Sequence, residues 1–88
     1  MSEIVFLPEE LSVRTVPGYW ERRAEIFRSE RADLSRLRVL DSSAVAFLVQ
    51  WSKSHGRDFR LALHQAPAEL RGLLRTFRLE QMFVLQDG

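Results

Sequence analysis
Apolar positions along the chain fall into short runs and spaced stripes. Ile4-Val5-Phe6-Leu7 is an apolar run closed by Pro8 and reads as a first strand. Residues 10–14 add a short second strand. Thr15-Val16-Pro17 reads as a helix start, because proline in the first turn has a preset φ and forfeits no needed N–H. Val16, Trp20, Ala24 and Phe27 then recur at helical spacing among charged residues, which predicts a helix over about 17–29. Ala32-Asp33-Leu34 opens the next element, and Leu37-Arg38-Val39-Leu40 continues it as a buried strand or its exit. Asp41-Ser42-Ser43 is an N-cap cluster whose side-chain oxygens suit the orphan N–H groups of a helix over about 43–55, ended by Gly56. Phe59, Leu61 and Leu63 alternate with Arg60 and Ala62, the pattern of a strand with one polar face. Pro67 opens a third helix with Leu70, Leu73, Leu74 and Phe77 as its apolar stripe, and Met82-Phe83-Val84-Leu85 closes the chain as a short edge strand.

The order is β(β)α–βα–βα–β. Such alternation predicts an α/β sandwich with right-handed crossovers and helices mainly on one face. Sites in these sheets gather where a strand ends and the following helix begins. Asp41-Ser42-Ser43 lies at one such point.

The helix after that turn carries more apolar surface than a sheet needs. Val45, Leu48, Val49 and Ser52 define a face suited to packing on strands. Ala44, Phe47, Trp51 and His55 widen the apolar arc to roughly twice the usual ~100° stripe. Two readings are open. Phe47 and Trp51 tuck against a neighbouring helix, or they flank the serine turn as an exposed docking patch.

Composition narrows the function classes. A chain of 88 residues supports one domain, 1–88, with a modest core and little room for an enclosed active site. A net charge of +1 gives no global pull toward nucleic acid or an anionic membrane. Twelve of the 13 basic residues are arginine; that suits carboxylate or phosphate recognition, though codon bias accounts for it as well. There is no cysteine, which excludes disulfides and thiolate metal sites and agrees with a cytoplasmic setting. Met1-Ser2-Glu3 lacks the features of a signal peptide, and no apolar stretch approaches ~18 residues, so any membrane role comes through docking on another protein.

No constellation for catalysis stands out, and no cofactor is expected. His55 and His64 have no matching carboxylate pattern for a metal, and the glycines are too scattered for a phosphate loop. Arg71, Arg75 and Arg78 form a stripe that reads as a solvated face. Trp20 and Trp51 lack the interleaved basic residues of a base-stacking surface, so nucleic acid is not an expected partner. No base is placed to activate Ser42 or Ser43 as a nucleophile. A helix N-terminus does tolerate an added phosphate, although Asp41 opposes it.

The segment Asp33-Leu34-Ser35 followed by Asp41-Ser42-Ser43-Ala44-Val45 resembles the signature of STAS domains (sulfate transporter and anti-sigma factor antagonist). Val16-Pro17 to Trp20-Glu21 resembles the start of that family's first helix, and Leu73 to Val84 its closing helix and strand. Ala44 and Val45 stand where the family usually has Gly and Leu, and Glu10-Leu11-Ser12 where it has G-x-L. The resemblance implies a STAS-like (SpoIIAA-like) α/β fold: a mixed sheet of four to five strands with helices mainly on one face. It implies a non-enzymatic binding module that meets its partner at the Asp41, Ser42, Ser43 and Ala44 turn; with Phe47 and Trp51 from the wide apolar arc, these are the expected partner contacts. In one branch, anti-sigma factor antagonists, an anti-sigma factor kinase phosphorylates the position of Ser43. In the other, the lipid-asymmetry (Mla-type) ABC transporters, a small cytoplasmic STAS subunit binds the ATPase subunit, with the position of Ser42 at the contact. The short chain, Ala44 and the Trp20-Glu21 pair resemble the second branch more closely.

Overall fold
A computed structural model describes residues 3–86. Its strands are β1 (Ile4–Phe6), β2 (Glu10–Leu11), β3 (Arg31–Asp33), β4 (Val39–Leu40), β5 (Leu61–His64) and β6 (Phe83–Gln86). Its helices are α1 (Val16–Glu21), α2 (Arg23–Ile26), α3 (Ser42–Ser54) and α4 (Ala68–Thr76), with a 3₁₀ turn at Glu80–Met82. The main sheet has the order β1-β3-β5-β6, and β2 pairs with β4 in a second, two-stranded sheet. Every pairing is parallel, so the expected mixed sheet is corrected to an all-parallel one. The cause is topological. Helices α1–α2, α3 and α4 each lie between successive strands of the main sheet, and a crossover returns the chain to the end it left.

Strand register separates the two sheet faces. Val5 pairs with Ala32, Ala32 with Leu63, and Leu61 with Phe83, so these side chains share one face. Ala32, Leu61, Leu63 and Phe83 are buried there with α3 and α4 residues. The opposite face carries Phe6, 51% exposed, and the exposed Arg31. The expected placement of the helices mainly on one face therefore holds.

Two elements differ from expectation. The predicted helix over 17–29 is two short helices broken at Arg22, whose φ of −99° and ψ of 11° leave the helical region. The Arg22 amide closes on the Tyr19 carbonyl in a tighter turn, and Arg23 Nη1 donates to the Trp20 carbonyl at 2.9 Å while its guanidinium lies over the Trp20 ring. The second is β4. Leu37 to Leu40 is neither an extension of β3 nor its exit. It leaves the main sheet, and Arg38 and Val39 donate backbone bonds to the Glu9 carbonyl, which sets β4 beside β2.

Helix α4 ends where a residue adopts the left-handed region. Arg78 has φ 58°, with the Leu79 amide donating to the Leu74 carbonyl and the Arg78 amide to that of Arg75. This is a Schellman closure made without glycine. At the end of α3 the corresponding residue is Gly56, φ 120°, as the sequence led us to expect.

Candidate functional site
The turn that opens α3 is held by a short ladder and one carboxylate. Pairing of Leu11 with Leu40 brings the loop after β2 next to the residue after β4, Asp41. Asp41 is extended (φ −142°, ψ −168°) and caps α3. Its Oδ1 accepts the Ser43 amide at 2.8 Å, and its Oδ2 accepts the Val13 amide at 3.0 Å. The Val13 bond first, with further bonds from Ser43 and Ala44, holds the carboxyl below the ordinary carboxylate range against the opposing effect of desolvation. One side chain thus stabilises the helix start and fixes the β2–α1 loop to it.

Ser42 and Ser43 differ at this cap. Ser42 is exposed at the first helical position, whereas Ser43 is half-buried. Ser43 lines a shallow groove of about 280 Å³ between α1 and α3 with Val16, Trp20, Ala46, Phe47 and Gln50. Two valines on the segments next to Asp41 are also exposed: Val13 at 68% and Val39 at 53%. Val13 is tied to Asp41, and Val39 stands two residues before it. Exposed apolar side chains, an exposed hydroxyl and a carboxylate thus lie on the segments that meet at this cap.

The expectation that Phe47 and Trp51 form an exposed docking patch is corrected. Phe47 is 1% exposed and Trp51 0%, and Ala44 is fully buried as well. The buried positions 44, 45, 47, 48, 51 and 52 span an arc of about 160° at 100° per residue. The arc is wide because α3 packs against α1 and α4 as well as β5. Phe27 supplies the aromatic partner for both rings, stacked on Trp51 at 5.7 Å and edge-on to Phe47 at 5.3 Å. Trp51 Nε1 donates to the Ser29 carbonyl at 2.9 Å, so its polar edge is satisfied inside. Phe47 meets the groove as its floor, not as a projecting anchor. Sequence reasoning missed Val13, Val39 and Ala46. Val13 sits singly between Ser12 and Arg14, Val39 reads as part of a buried strand over Leu37 to Leu40, and Ala46 is the exposed alanine between two buried positions.

The other polar groups singled out in the sequence serve the fold. Nε2 of His55 lies within hydrogen-bonding distance of the Phe27 and Ser29 carbonyls, and its ring stacks on Phe59 at 4.3 Å. Glu10, at the start of the expected second strand, is in β2 and accepts the Ser12 hydroxyl at 2.6 Å. Among the described residues no three His, Asp or Glu side chains gather as metal ligands, and no helix is long and apolar enough to cross a membrane.

A family model described as "Mlab, STAS domain" matches residues 7–86. The chain belongs to the STAS domain family. The match spans β2 through β6 and includes the Asp41 turn, α3 and the groove beside it. Neither a curated protein nor a solved structure matches this STAS domain. Family membership makes a binding module the general reading of the cap and the segments that meet there.

Proposed function
We propose that this STAS domain is a non-enzymatic, cytoplasmic accessory subunit that docks on the ATPase subunit of a phospholipid-transporting ABC complex and supports its assembly or activity. The observation that carries the reading is the exposed Ser42 hydroxyl at the α3 cap, with exposed Ala46 one turn on and the exposed Val13 and Val39 on the segments joined to Asp41. Such a surface offers apolar side chains to a protein partner and a small polar group to orient it. The match to a model described as "Mlab" favours the transporter branch. The phospho-switch alternative, with Ser43 modified by an anti-sigma factor kinase, has less support. The Ser43 amide is already taken by Asp41, and a phosphate there would meet that carboxylate.

Co-expression with the ATPase subunit of a phospholipid ABC transporter from the same genome tests the proposal. The tagged wild-type chain should retain the ATPase, and Ser42→Arg should lose it while melting at the same temperature. A wild-type chain that retains no ATPase, or a Ser42→Arg variant that binds equally well, would overturn it.

A further inference from the structure
Among the described residues no helix covers the second face of the all-parallel main sheet, which is unusual because parallel sheets are as a rule packed on both faces. Register places two rows on that open face. Ile4, Arg31, Ala62 and Val84 form one, and Phe6, Asp33, His64 and Gln86 the other. Neither row includes a residue of the Ser42 surface, so a role for this face is a separate question from the proposed ATPase docking.

The polar groups of this face are arranged by their bonds within the chain. Arg31 Nε can only donate, so its 3.1 Å contact with His64 Nε2 makes that nitrogen the acceptor and puts the ring proton on Nδ1. Asp33 Oδ1 accepts the Ser35 amide at 2.8 Å. Its carboxyl lies below the ordinary range through the Ser35 hydroxyl first, with His64 and Arg36 contributing, so the acid is ionised. The face therefore presents a carboxylate on β3 and an Arg–His donor pair shared between β3 and β5.

We propose that this open face pairs with the same face of a second copy, about a two-fold axis running along the strands between β3 and β5. Rotation about that axis lays β1 over β6 and β3 over β5. Ile4 then meets the second copy's Val84, a dry apolar contact made twice. Asp33 meets the second copy's His64, whose Nδ1–H it can accept, with Arg31 of that copy adjacent. Small Ala62 leaves room for the stem of the facing Arg31. Phe6, under the Arg36 guanidinium at 5.0 Å, falls at the rim opposite Gln86. Aligned sheets packed ~10 Å apart with strands within ~30° accommodate this arrangement. A two-fold interface requires self-complementarity, and Asp33, the one acid of these two rows, stands beside His64 of its own copy and meets that of the second copy across the axis.

Size sets the strength. Four strands at ~4.8 Å spacing and about four residues at ~3.3 Å give a footprint of roughly 250 Å² per copy. That is well short of the ~800 Å² per partner of a standard stable interface, so the pairing is weak and concentration-dependent.

The absence of native cysteine makes the register directly testable. Ile4→Cys mixed with Val84→Cys under mild oxidation should give a cross-linked dimer at least about tenfold faster than either variant alone. Two copies of one variant would hold their thiols about 14 Å apart, three strand spacings, beyond disulfide reach. Pairing Ile4→Cys with Glu69→Cys on exposed α4 serves as the random-collision control. In sedimentation equilibrium from about 10 μM to about 1 mM, a range suited to weak association, the wild-type mass should rise toward a dimer. Val84→Glu, with an unchanged circular dichroism spectrum, should remain a monomer throughout. A wild-type chain that stays monomeric at the highest concentration, with no cross-link above the control pair, overturns the proposal and leaves the face to a different protein or surface. A dimer that survives Val84→Glu overturns it as well.

Discussion

The two ends of α3 lie on one 13-residue helix and meet opposite fates. At the C-terminal end Trp51, Ser52 and His55 are spent inside. Trp51 donates to Ser29, Ser52 bridges the Met82 carbonyl and the Leu61 amide, and His55 reaches the α2–β3 turn. At the N-terminal end Ser42 and Ala46 face solvent beside two exposed valines. The difference comes from the neighbours. The C-terminal half is enclosed by the α2–β3 turn and by the start of β5, while the N-terminal half meets α1 across a shallow groove and the β2–α1 loop that Asp41 ties to it. Aromatic content alone would have pointed to the enclosed end. A large side chain in a wide apolar arc marks where a helix is enclosed, and a small one at its open end marks where it can be approached.

The largest break in this comparison is Trp51→Ala. It removes a fully buried ring, its stack on Phe27 and the bond to Ser29, and should cost about 3–5 kcal/mol. Against a total of about 5–15 kcal/mol for a domain, that leaves the fold marginal at 37 °C. Ser42→Arg at the open end should stay within about 0.5 kcal/mol of wild type. Paired thermal melts decide the matter. Equal melting temperatures for the two variants would erase the distinction between the ends.

Ser52→Ala sharpens the comparison at lower cost. The hydroxyl donates to Met82 at 2.8 Å and accepts the Leu61 amide at 3.3 Å, so removing it strands buried polar groups of both. About 1–3 kcal/mol should be lost, seen as a lower urea midpoint with an unchanged slope. Hydrogen exchange at the Leu61 amide should accelerate more than at other β5 amides. Uniform acceleration across the strand would mean that Ser52 contributes only to global stability.

Much of this was legible in the sequence, and the exceptions have local causes. The apolar runs at 4–7 and 82–85 became the two edges of the main sheet, and Gly56 marked the end of α3 because it adopts a left-handed φ. The Asp41 cap was legible because capping needs only a side-chain oxygen at the right position. The second bond of Asp41, to Val13 28 residues away, was not, since it depends on β2 pairing with β4. These two-residue strands are too short to carry a period. The break at Arg22 was hidden for a related reason: Val16, Trp20, Ala24 and Phe27 hold helical spacing across it, while the bond of Arg23 to the Trp20 carbonyl leaves no pattern. The width of the α3 arc was visible in the sequence, but which neighbour filled it was not, because Phe27 comes from a different element.

The smallest expected effect isolates the carboxylate that joins the two regions. Asp41→Asn retains a cap, because an amide oxygen can still accept the Ser43 N–H, and asparagine ranks with aspartate at this position. What it loses is the second acceptor, the one holding Val13, since an amide nitrogen only donates. Destabilisation should be smaller than for Ser52→Ala, and ATPase retention should fall because the Val13 loop is released beside Ser42. The pH dependence has a definite sign. The folded carboxyl titrates below its unfolded value, so its contribution is complete above the unfolded carboxylate range near pH 4 and is lost as pH falls through the lowered folded value. The stability difference between wild type and Asp41→Asn should therefore be flat from about pH 5 upward and shrink only in more acidic solution. Asp33, whose carboxyl is also lowered, is common to both proteins and cancels in that difference. A gap that widened toward acid would mean that the protonated, not the ionised, side chain holds the loop.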